Sequence, residues 1–84
     1  MEFYTLNEAY PITEFTHYLG TPELISVVEI HFDKAVTLDD LEDIDQSSTF
    51  LIKTNSQVYV FSDYELNECY VDEARNCVLA TFTK

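Results

Sequence analysis

Residues 11–20 read PITEFTHYLG, and the fold class turns on how they are read. Ile12, Phe15, Tyr18 and Leu19 recur at the intervals that line one face of a helix. Gly20 then stands where a residue in the left-handed conformation ends one. The spacing predicts a short helix over Pro11–Leu19.

Working outward, Glu2 to Leu6 alternates as a first strand, with Phe3 and Tyr4 on opposite sides. Thr21-Pro22 can cap a further turn. Leu24 to Phe32 is β-rich, with Val28, Ile30 and Phe32 on one face and Val27, Glu29 and His31 on the other. Thr37 followed three residues later by Asp40 resembles a capping box, and Leu38, Leu41 and Ile44 would face the core from a short helix. Phe50–Thr54 and Gln57–Ser62 flank Asn55-Ser56, a two-residue hairpin signal because Asn tolerates positive φ. Glu68–Val71 and Cys77–Phe82 flank Asp72–Asn76 as a second hairpin, with a helix from about Asp63 to Ala74 as the competing reading. These segments predict a single α+β domain over residues 1–84. It would hold a small antiparallel sheet of four to five strands, in hairpins and meander, with one or two short helices on one face.

A chain of 84 residues buries only about 60–65% of its unfolded surface, which leaves room for one thin core. Six Phe and six Tyr can supply much of that burial. Sixteen acidic residues against four basic ones give a formal charge of −12. Solubility in a small domain is served by a net charge of about 2–8, so the excess invites a functional reading. A negative field repels nucleic acid and anionic membranes and attracts basic protein surfaces. The start, Met1-Glu2-Phe3-Tyr4, lacks the basic and apolar regions of a signal peptide, so a cytoplasmic location is expected.

Two acidic groups are the candidate binding residues. Asp39, Asp40, Glu42, Asp43 and Asp45 place five carboxylates in seven residues, and Asp63, Glu65, Glu68, Asp72 and Glu73 form the second group. Neighbours on a helix face lie about 5–6 Å apart, and alternate residues on a strand about 6.6 Å apart. Both spacings approach the roughly 7 Å between successive phosphates of one DNA strand. The competing view is a solvated helix face with polar loops. Tyr64 and Tyr70, flanked by these acids, are expected to be exposed anchors, since tyrosine is enriched at interface hot spots.

Other chemistry finds less footing. Laid on an EF-hand loop from Asp43, Asp45 and Ser47, the sequence puts Ser48 where Gly is needed and Thr54 where the bidentate Glu belongs. No metal or other cofactor is expected. Cys69 and Cys77 bracket a turn centred on Glu73, so a symmetric hairpin would set them opposite each other. Reduced, buried thiols are nevertheless the expectation. His31 is read as surface-facing, and His17 as lying on the outer helix face beside Glu14. There is no Gly-rich phosphate loop or nucleophile elbow, and so small a core cannot wall off a substrate pocket; no enzyme is expected.

In size and charge the chain is similar to the general class of small, acidic, phage-type inhibitor proteins. That class includes DNA mimics that block restriction, repair or CRISPR nucleases. The resemblance implies a non-catalytic inhibitor, an anti-CRISPR or anti-restriction protein for example, acting in the cytoplasm of a host cell. Its partner would be a basic protein, such as a nucleic-acid-binding protein or nuclease, with no direct contact to nucleic acid or membrane. The alternatives are an immunity protein or antitoxin that neutralises a basic nuclease, and a structural module that self-assembles through edge strands. Either monomer or homodimer is compatible with the sequence.

Overall fold

The computed structural model describes residues 1–6, 8–20, 25–42 and 49–84. Its strands are β1 (Glu2–Tyr4), β2 (Ala9–Leu19), β3 (Ser26–Phe32), β4 (Phe50–Lys53), β5 (Val58–Phe61), β6 (Glu65–Asp72) and β7 (Cys77–Thr83). All pairings are antiparallel, in one seven-stranded sheet of order β5-β4-β1-β2-β3-β7-β6. The only helical element among the described residues is a 3-10 turn, Asp39–Glu42. The expected α+β domain with helices packed on a four- or five-stranded sheet is therefore corrected to a nearly all-β one.

The stretch that decided the sequence reading is strand β2, and a bulge explains the false helical period. The register between β2 and β3 shifts between Ile12 and Glu14. An extra residue at a bulge reverses which face the following side chains occupy. Ile12 and Phe15, three apart, thus both turn toward the core, as they would on a helix. Tyr18 and Leu19, which completed the pattern, are exposed. Gly20 does not take a positive φ. Its amide donates to the Ile25 carbonyl at 2.7 Å, and a Cβ there would come within 3.0 Å of Val27 Cγ2. Close approach to Val27 explains this glycine, and helix termination does not.

Long β2 belongs to both halves of the sheet, pairing with β1 up to Pro11 and with β3 from Ile12 onward. The sheet folds on itself there. Phe50 on β4 and Phe82 on β7 are four strands apart, about 19 Å in a flat sheet, yet their ring centroids lie 4.6 Å apart. Phe3, Phe32, Phe61 and Tyr64 complete this aromatic centre, with Val28, Ile30, Ile52, Val78 and Ala80 around it.

The first strand stops at Tyr4, and Leu6 is 94% exposed. The capping box forms: Thr37 N–H donates to Asp40 Oδ2 at 2.9 Å and Asp40 N–H to Thr37 Oγ1 at 3.3 Å. Among the described residues a 3-10 turn, Asp39–Glu42, follows; Asp is a poor helix former, and the like charges of Asp39 and Glu42 stand three residues apart. Leu41 is buried but Leu38 is exposed, and Ile44 lies outside the described residues, as do Thr21, Pro22 and Leu24.

Both hairpins are present. The first turn is organised by Thr54, whose Oγ1 accepts from the amides of Ser56 and Gln57 at 3.3 and 3.1 Å. Positive φ occurs at Asp63 and Asn76, and Asn55 does not share it. The competing helix over 63–74 is replaced by β6. In the second hairpin Cys77 faces Asp72 and Cys69 faces Ala80. The two cysteines are thus not opposite each other, and both are free thiols. Among the described residues no helix is long and apolar enough to cross a membrane.

Candidate functional site

Strands β2, β3, β7 and β6 present one continuous outward face, read row by row from their register. Glu14, His31, Leu79 and Tyr70 form one row; Thr16, Glu29, Thr81 and Glu68 the next; Tyr18, Val27, Thr83 and Glu65 the third. Asp72, opposite Cys77, extends the face along β6. Five carboxylates therefore share it: Glu14, Glu29, Glu65, Glu68 and Asp72.

Two bulges bring Glu14, Glu68 and Asp72 onto the face that already holds Glu29 and Glu65. Beyond the shift at Ile12/Glu14, residues 14, 16 and 18 point outward and Phe15 inward; strict alternation from Ile12 would have turned Glu14 into the core. On β6 the shift falls between Leu66 and Glu68. Alternation from Glu65 would have shown Asn67, Cys69 and Val71; instead Glu65, Glu68, Tyr70 and Asp72 face outward opposite Thr83, Thr81, Leu79 and Cys77. Successive steps along the regular partner strand are about 6.6 Å. A single strand thus carries an evenly stepped Glu-Glu-Tyr-Asp series.

At the upper end of this face sits a buried histidine. His31 is 4% exposed, which corrects its reading as a surface side chain. It does lie on the outward face, but Arg75 from the β6–β7 turn covers it. Arg75 Nη1 lies 3.2 Å from His31 Nδ1 and 3.3 Å from Glu14 Oε1. His31 Nε2 lies 3.3 Å from Glu29 Oε1 and 3.4 Å from Glu14 Oε1. Because guanidinium can only donate, Nδ1 must accept, and the proton of the neutral ring sits on Nε2, facing the carboxylates. Thr13, Asp33, Lys34, Asn76 and Cys77 line the cleft around this network. Glu14, Glu29 and Arg75 converge only through pairing between distant strands, which no local sequence signal marks.

The expected site residues are divided by the fold. Asp39, Asp40 and Glu42 lie on the 3-10 turn; Asp43 and Asp45 fall outside the described residues. Asp39 lines a second cleft with Val36, Leu38, Val71 and Val78, and this cleft shares Lys34, Asn76 and Cys77 with the one around His31. Asp63 is in the β5–β6 connection and Glu73 in the β6–β7 turn, both exposed. Tyr70 is 43% exposed and stands in the carboxylate series. Tyr64 is 5% exposed and packs against Phe50 and Phe61, so its expected role as an exposed anchor is corrected to a core one.

Below Tyr64, Ser26 Oγ lies 2.6 Å from its hydroxyl and 2.8 Å from His17 Nε2. These contacts satisfy a phenol at the base of the core. His17 stacks edge-on against Phe61 and is not beside Glu14 on a helix. Burial pushes the thiols of Cys69 and Cys77 up, and the charge of Asp72 adds to this for Cys77. Neither is poised as a nucleophile.

Comparison with family models, with curated proteins and with solved structures finds no match for this chain.

Proposed function

We propose that the chain is a non-catalytic acidic inhibitor that occupies the basic nucleic-acid-binding surface of a host protein, in the manner of a DNA mimic, in the host cytoplasm. The observation that carries this reading is the phasing on β6. A bulge sets Glu65, Glu68, Tyr70 and Asp72 on one outward face at strand spacing, near the roughly 7 Å repeat of phosphates along DNA. Glu29 on β3 and Glu14 on β2, two and three strands from β6, widen the array. Tyr18 and Tyr70 supply amphipathic contact area within it. The formal charge of −12 adds long-range attraction to a cationic groove.

The carboxylates of β6 make the sharper test of this function. Asp40 caps its own turn, so reversing it disturbs local structure, whereas Glu65 and Glu68 are exposed strand residues. A Glu65→Lys/Glu68→Lys variant should keep the fold and lose the partner. Retention of full inhibition by that variant would refute the site.

A further inference from the structure

The two edges of the sheet are built differently. Edge strands offer unpaired backbone groups, and natural proteins blunt them with charge. Strand β6 carries Glu65, Glu68 and Asp72. Strand β5, reading VYVF, carries no charge at all, and Val58 and Val60 are 57% and 64% exposed. No acidic residue occurs between Asp45 and Asp63, and Lys53 is the one charged residue in that interval. In a chain of net charge −12, the β4–β5 hairpin is the stretch where another copy meets least repulsion.

The backbone phase of this edge is also fixed. Thr54 N–H donates to the Gln57 carbonyl at 2.9 Å. Hydrogen-bonded pairs alternate along an antiparallel ladder, so residues 57, 59 and 61 direct their amides to β4. Val58 and Val60 direct theirs to the open side, which no described strand occupies.

We propose that this chain forms a two-fold dimer by antiparallel pairing of β5 with β5 of a second copy, in a register centred on Tyr59. Only this register sets Val58 opposite Val60 of the second copy and Val60 opposite its Val58, so that every outward amide of these residues is used. The outer side chains then match: Leu51 and Val60 of one copy continue into Val58 and Lys53 of the other, since Leu51 pairs with Val60 and Lys53 with Val58 within each hairpin. Such an interface is isologous and closes on itself. A basic partner has no reason to prefer this uncharged edge over the acidic face, whereas the strand's own copy fits it in both hydrogen bonding and face pattern. This dimer does not depend on the proposed function, because β5 carries none of the carboxylates on which that function rests.

Sedimentation equilibrium tests the dimer. Screening lengths are about 10 Å at 0.1 M salt and about 3 Å at 1 M. Repulsion between two acidic copies falls accordingly, and the dimer fraction should rise with salt, opposite to the behaviour of a charge-driven complex with a basic protein. Val60→Lys places an ammonium opposite Val58 of the second copy, one strand from that copy's Lys53. It should weaken association about tenfold or more while leaving the circular dichroism spectrum unchanged. In this register Tyr59 faces its own symmetry mate in a non-hydrogen-bonded pair, with Cα atoms about 4.5 Å apart, so oxidised Tyr59→Cys should give a covalent dimer. A parent that is monomeric at both salt concentrations overturns the proposal. So does undiminished association of Val60→Lys, or failure of oxidised Tyr59→Cys to cross-link.

Discussion

Arg75 Nη1 meets Nδ1 of buried His31 at 3.2 Å, and this one contact fixes the tautomer of the imidazole and ties the β6–β7 turn to β3. Long-range proton–nitrogen correlation spectra should show His31 protonated at Nε2. Arg75→Ala should cost about 1 kcal/mol or less, because the guanidinium is exposed and its ion pairs are screened. A loss well above that in chemical denaturation would mean that the turn depends on Arg75 far more than its exposure implies.

Phe50 touches the rings of Phe3, Phe61, Tyr64 and Phe82. Removing it empties the place where the folded-over halves of the sheet meet. Phe50→Ala should cost about 3–5 kcal/mol, a large part of the roughly 5–15 kcal/mol that holds a domain folded. Urea titration followed by circular dichroism gives the value; a cost below about 1 kcal/mol would deny Phe50 its central place.

How much of this was legible in the sequence depends on whether the determining contacts are local. The Phe50–Phe61 hairpin and the Thr37–Asp40 capping box were legible, because their signals lie within a few residues of the contacts they make. The strand over residues 9–19 was not. Its bulge at Ile12/Glu14 places side chains three apart on one face, and a bulge imitates helical spacing when only the sequence is seen. Two of the five carboxylates of the acidic face were hidden for another reason: Glu14 and Glu29 join Glu68 only through pairings across β2, β3, β7 and β6. Tyr64 was misplaced because its acidic neighbours suggested solvent, while the turn at Asp63, with φ of 64°, directs it under the core.

Gly20 gives a sharp test of the corrected reading. As a left-handed helix cap it would resist any side chain on backbone grounds. As a residue in close approach to Val27 Cγ2, at 3.0 Å from an added Cβ, it should tolerate Ala at a cost of about 1 kcal/mol. Gly20→Ala combined with Val27→Ala should recover part of the crowding cost relative to the sum of the single changes, measured as a coupling energy.

The thiols make a pH-dependent statement. Burial raises Cys69 and Cys77 above the ordinary value of 9.0, so the fold favours their neutral form. That contribution to stability is complete below pH 9.0, the unfolded value, and is lost as pH rises through the higher folded values. Native protein at pH 8 should therefore react with iodoacetamide much more slowly than urea-unfolded protein. Equal rates would show that the thiols are not protected.

The outward series Glu65, Glu68, Tyr70 and Asp72 is the proposed contact with the partner. The most direct measurement is affinity capture from host-cell lysate with the parent and with Glu65→Lys/Glu68→Lys, the retained proteins being identified by mass spectrometry. The expected result is one nucleic-acid-processing protein, held by the parent at low salt, displaced by duplex DNA and absent from the variant. Capture of the same protein by both baits, or of none by the parent at low salt, would contradict the account.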